Sequence, residues 1–129
     1  MLKRMLVGFI RSHETTGEQA KDPNLRTRYY KLSKDKVWAE VVEILKKTPG
    51  FNVLYEGIDV GEIVCGKRTV TGRMQDITVS LFSINPVNTA IDIHSASRGS
   101  LGDLGANYRT IVDICRQIDH RLERYKISK

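Results

Sequence analysis

Cysteine, proline and histidine are scarce in this chain, and no apolar run in it is long. The two cysteines, Cys65 and Cys115, stand fifty positions apart, with no Cys-x-x-Cys and no histidine at ligand spacing. That pattern excludes a disulfide scaffold and a metal site of the zinc type, and it points to a reducing cytoplasm. No stretch approaches the roughly 20 apolar residues that a membrane span needs. The first twelve residues lack both the apolar core and the small-residue cleavage site of a signal peptide. No Rossmann glycine fingerprint occurs, and no glycine loop is followed by Lys-Ser/Thr, so no cofactor is expected. Three prolines and no low-complexity run leave an ordinary globular composition, 40% hydrophobic and 28% charged. At 129 residues the chain can bury a core without staples.

Positive charge is what the sequence has in excess. Lysine and arginine number 21 against 15 acidic residues, a formal charge of +6. The surplus favours an anionic partner without saying which one. Leu2, Met5, Leu6, Phe9 and Ile10 recur at helical spacing, with Lys3, Arg4 and Arg11 elsewhere. Two readings of Met1–Ser12 stand: a helix packed on the domain or on a second subunit, or a basic amphipathic helix lying on an anionic membrane surface. Residues 1–24 thus read as an N-terminal helix and linker, with His13–Asn24 a loop, and residues 25–129 as one domain.

Leu25–Leu32 is strand-like, and Ser33 offers an N-cap. Val37, Trp38, Val41, Val42, Ile44 and Leu45 then mark a helix that stops at Thr48-Pro49-Gly50. Phe51–Glu56 and Glu62–Thr69 read as strands. In Gln75–Ile84, Ile77, Val79 and Leu81 alternate with Asp76, Thr78 and Ser80. After a turn at Asn85–Asn88, Thr89–Ser97 sets Ile91 and Ile93 against Asp92 and His94. The last helix carries a stripe of Tyr108, Ile111, Ile114, Cys115, Ile118, Leu122 and Tyr125, which makes Cys115 a small buried hydrophobe. The order β-α-β-β-β-β-α predicts an α+β two-layer sandwich, an antiparallel sheet with helices on one face. It is similar to the TATA-binding-protein-like and helix-grip folds.

The densest polar and glycine chemistry lies between the last strand and the last helix. Ser95-x-Ser97-Arg98-Gly99 is followed by Asp103-Leu104-Gly105-x-Asn107-x-Arg109-x-Ile111. This stretch resembles the signature of an uncharacterised bacterial family, domain of unknown function 1499. The Val37-Trp38 helix start, Pro49-Gly50-Phe51, and Asp76 ahead of a strand extend the resemblance over roughly residues 22 to 122. The family's pattern carries a cysteine after Pro-Asn; here Leu25 follows Pro23-Asn24, so no role of that cysteine carries over. The resemblance implies the fold and highlights these residues, and it implies no activity.

Read physically, Asp103 is placed to cap the helix, and Gly99, Gly102 and Gly105 relax the backbone. Arg98 presents a planar fork of donors suited to a carboxylate or phosphate, and a three-residue hairpin loop at Pro86–Asn88 would give a register that sets Asp76 opposite or diagonal to it. Two readings follow. Arg98 is clamped by Asp76 or Asp103, or else Arg98, Gly99, Asp103, Asn107 and Asp76 form a corner that holds an anion. The function expected is a non-enzymatic cytoplasmic module holding a small anionic ligand or a protein partner there. The alternatives are an enzyme with Asp76 or Asp103 as general acid or base, and a membrane-surface protein. His94 and Ser95 are adjacent on a strand and face opposite ways, which argues against a nucleophile–base pair. Arg26, Arg28, Lys31, Lys34 and Lys36, with Tyr29 and Tyr30 among them, have no groove-reading motif beside them. They read as a solvated basic face and not as a nucleic-acid site.

Overall fold

The structure, a computed structural model, describes residues 13–17, 22–68, 74–97 and 104–127. Met1–Ser12 and its two readings lie outside them. Among the described residues six strands and two α-helices follow in order: β1 (His13–Thr15), β2 (Arg28–Tyr30), α1 (Lys34–Lys47), β3 (Phe51–Gly57), β4 (Glu62–Arg68), β5 (Met74–Asn85), β6 (Asn88–Ser97) and α2 (Leu104–Arg121). The sheet is antiparallel, in the order β1-β6-β5-β4-β3, with β2 also pairing β6. From β2 onward this is the β-α-β-β-β-β-α sandwich expected from the sequence.

The alternation in β5 and β6 sorts the two faces. Ile77, Val79, Leu81, Ile91 and Ile93 are buried inward, while Thr78, Ser80, Asp92 and His94 leave on the other face and are half-buried. Val37, Val41 and Leu45 of α1 cover that inward face together with Ile111, Ile114, Ile118 and Leu122, and Cys115 sits in the same layer. Each wholly buried isoleucine contributes about 1.5–3 kcal/mol relative to an exposed one, so two independent stripes decide how the layers stack. The first helix carries Asp35 in its first turn and Lys46 and Lys47 in its last, which suits its dipole. It ends where the Thr48 hydroxyl donates to the Ile44 carbonyl at 2.7 Å and Gly50 takes a φ of 89°.

Two local readings change. His13–Thr15 is a strand, paired with His94–Ala96 of β6. Backbone pairing makes it, and three residues carry no periodicity to read. On the same edge β2 pairs Thr89–Ile91, which leaves Asp92 and Ile93 between the two short strands. Thr16 and Thr27 fill that gap. Each donates its hydroxyl to Asp92 Oδ1 at 2.6 Å, and Ile93 N–H donates to Thr16 Oγ1 at 2.7 Å. The β5–β6 hairpin has a two-residue loop, Pro86-Val87, because Asn85 Oδ1 accepts the Val87 N–H at 3.0 Å and Asn88 is left to pair with Asn85. No helix among the described residues is long and apolar enough to cross a membrane.

Candidate functional site

The motif between β6 and α2 resolves in part. Gln75 shares the inward phase of Ile77 and Val79 and meets α2 across the core. Its Nε2 donates to Asn107 Oδ1 at 3.2 Å, and Ser95 Oγ donates to the same oxygen at 2.7 Å. Asn107 Nδ2 donates to Ser97 Oγ at 2.9 Å, and Thr110 Oγ1 donates to Gln75 Oε1 at 2.8 Å. Gln75, Ser95 and Asn107 have no solvent exposure at all. This polar seam pins the first turns of α2 to the ends of β5 and β6. Buried amides of this kind are tolerated because their partners are supplied within the fold.

Asn107 therefore builds the corner from inside and does not present its amide to a ligand. Asp76 follows Gln75 on β5 and leaves on the opposite face, with Ala96 as its register partner. Arg98, Gly99 and Asp103 lie outside the described residues.

At the other end of α2 the fold assembles a charged cleft. After a single 3-10 turn at Glu123–Tyr125 the chain runs beside β2, where Lys31 N–H donates to the Tyr125 carbonyl and Ile127 N–H to the Tyr29 carbonyl, at 2.6 and 2.9 Å. Asn24, Arg26, Thr27 and Arg28 line one wall of a space of about 320 Å³, and Asp119 and Lys126 line the other. Asp119 Oδ2 lies 2.9 Å from Lys126 Nζ and 3.5 Å from Arg28 Nε, and Oδ1 accepts the Tyr30 hydroxyl. Three cations thus line the cleft against one carboxylate.

Burial, followed by the bond to Asp119, drives the Tyr30 phenol far above its ordinary pKa, so it serves as a donor and never as a base. Cys115, behind it, is pushed up to about 11 by burial. Near the rim, Asp22 accepts the Asn24 N–H at 2.9 Å and the Tyr108 hydroxyl at 2.8 Å. Those bonds, with Arg26 nearby, hold its carboxyl below the usual range. The arrangement concentrates positive charge around a fixed acceptor and suits holding an anion.

Asp119 and Lys126 escaped the sequence reading. Arg28 and Tyr30 share one phase of β2, and Tyr30 is wholly buried. Asp119 stands beside Ile118 of the stripe, 89 positions from Tyr30, so no local pattern in the sequence signals the pair. Among the described residues no group of three His, Cys, Asp or Glu could hold a metal ion.

The fold and its polar seam define an α+β two-layer sandwich in which a strand–loop–helix motif fastens the covering helix. The model of a family described as Protein of unknown function (DUF1499) matches residues 10–118, and the chain belongs to that family. Ser95, Ser97 and Asn107 of the seam are residues of the motif that resembles its signature. No curated protein matches the chain. Among solved structures it is similar to the Zhui aromatase/cyclase from Streptomyces sp. R1128, at 15% identity and a TM-score of 0.32 over 87% of this chain and 86% of that one.

Proposed function

We propose that this protein is a non-enzymatic binding module that holds a small anionic ligand in the cleft between β2 and the end of α2. The observation that carries the reading is the charge of that cleft: Arg26, Arg28 and Lys126 line it with Asp119, and Asp22 lies near its rim. A phosphate or a compact polycarboxylate entering there gains two or three charge-assisted hydrogen bonds and relieves the repulsion among the cations. Asn107 works against a seat at the Arg98–Asn107 corner, because its amide is spent on Gln75, Ser95 and Ser97. A reducing cytoplasm is the setting this reading assumes; Cys65 and Cys115, both buried and free, support it.

Thermal unfolding in graded phosphate, sulfate and citrate tests the proposal. Ligand at about 100 times its Kd stabilises the fold by about 2.7 kcal/mol, so the melting point should rise and saturate. Lys126→Met and Arg26→Gln should each flatten that response, and Arg98→Ala should leave it intact. A response lost in Arg98→Ala and kept in Lys126→Met would move the seat to the loop corner. No saturable response in the wild type would end the anion reading.

A further inference from the structure

The solvent side of the helix layer carries a second feature, independent of the cleft. The two helices leave a groove between them with two depressions along it. One, of about 380 Å³, is lined by Ala39, Leu122 and Tyr125, with Lys36 and Arg124 beside them. The other, of about 390 Å³, reaches down to Ile44 and lies beside Arg116 and His120. Arg121 lines both.

The groove's charges are unbalanced in a definite way. Arg121 Nη1 holds Glu40 Oε1 at 2.6 Å and Glu43 Oε1 at 3.2 Å, and Lys47 takes the same Glu43 oxygen at 3.1 Å. Both carboxylates are thereby engaged. Lys36, Arg116 and Arg124 are exposed and make no ion pair among the described residues. Arg116 stands on α2 beside one depression, and Arg124, in the 3-10 turn that follows the helix, stands beside the other.

We propose that the α1–α2 groove is a docking surface for an acidic, amphipathic helical segment of a partner protein. Charge complementarity selects the partner: its carboxylates meet Arg116, Arg124 and Lys36. One apolar side chain midway between those carboxylates enters the floor formed by Ala39, Leu122 and Tyr125. A helix with acidic residues about two turns apart and a leucine between them presents that pattern. A bilayer surface is disfavoured, because the apolar atoms here are recessed between cations. Among the described residues the protruding apolar side chains, Val60, Phe82, Ile84 and Val87 among them, belong to the strand hairpins. A nucleic-acid strand would leave the apolar floor without a partner.

The test is fluorescence anisotropy at low salt with a labelled 16-residue helical peptide carrying two glutamates eight positions apart and one leucine between them. Saturable binding is expected. It should weaken on the order of tenfold in Arg116→Glu/Arg124→Glu, several-fold when the peptide leucine becomes serine, and not at all in Lys126→Met. Circular dichroism melting of the double variant checks its fold; should it unfold, Arg116→Gln/Arg124→Gln is read by the same outcomes. No binding, equal affinity in the double variant, or indifference to the leucine overturns the proposal. So does displacement of the peptide by a 16-nucleotide DNA strand at lower concentration.

Discussion

Replacing Asn107 by alanine should cost the fold a large part of its stability, and the cost can be worked from the seam. The side chain accepts from Gln75 and Ser95 and donates to Ser97, at 3.2, 2.7 and 2.9 Å. Alanine leaves the Gln75 amide and the Ser95 hydroxyl, both wholly buried, without their acceptor. A buried polar group stranded this way costs about 1–3 kcal/mol, so two of them, with the cavity, come to roughly 3–5 kcal/mol. Domains of this kind have about 5–15 kcal/mol in total. For a chain of this size the melting point should fall by about 10–20 °C. Urea unfolding followed by circular dichroism measures the loss.

A second substitution gives the argument a sign. Asn107→Asp keeps the acceptors but brings a carboxyl into a wholly buried seam whose described members are neutral amides and hydroxyls, so its folded pKa lies above the unfolded value near 3.9. Stability relative to the wild type is then greatest below that unfolded value and is lost as pH rises through the folded one. The alanine penalty should show no such slope. An Asn107→Ala penalty under about 1 kcal/mol at unchanged m-value would refute the view that the seam pins α2.

Gly61 turns the β3–β4 hairpin at a φ of 74°, where an added Cβ would meet the Leu81 carbonyl oxygen at 2.4 Å; Gly17 has nothing within 4 Å of that position. Gly61→Ala should therefore cost about 1–3 kcal/mol and Gly17→Ala almost nothing; equal denaturation midpoints would contradict this. Cys65 and Cys115 are buried, and burial raises both thiols to about 11. Native protein at pH 8 should resist a disulfide reagent until urea unfolds it, and fast labelling of either thiol would show the core to be open. Because the folded thiols hold their protons more tightly than unfolded ones near 9, stability should also decline from about pH 9 toward 11, which denaturation at stepped pH measures.

How much was legible follows from which residues carry a period. Ile77, Val79 and Leu81 reappear as the sheet's inward face, and Ile111, Ile114, Ile118 and Leu122 as the helix stripe, since apolar spacing alone assigns both. The strand at His13–Thr15 was not legible, because its partners are backbone groups of β6. The Asp119 hub was not legible either, because it joins Tyr30 and Lys126 to a residue 89 positions from the tyrosine.

The polar residues obey the same phase rule as the apolar ones, and that bears on the motif. Gln75, Ser95 and Ser97 occupy the inward phase of their strands, so the parity that places Ile77 and Ile93 also places them. A polar residue in the apolar phase is expensive unless something answers it, and Asn107 and Thr110 from the covering helix do. Ser95, Ser97 and Asn107 of the motif are therefore consumed in fastening α2 to the sheet. Arg26, Arg28 and Lys126 stand at the far end of the same helix, around a carboxylate that the sequence does not flag. The two ends separate by experiment, because Lys126→Met leaves the seam whole and Asn107→Ala leaves the cleft's side chains whole. An anion response that follows Lys126 and ignores Asn107, apart from the lowered starting stability, assigns fastening to one end of α2 and binding to the other.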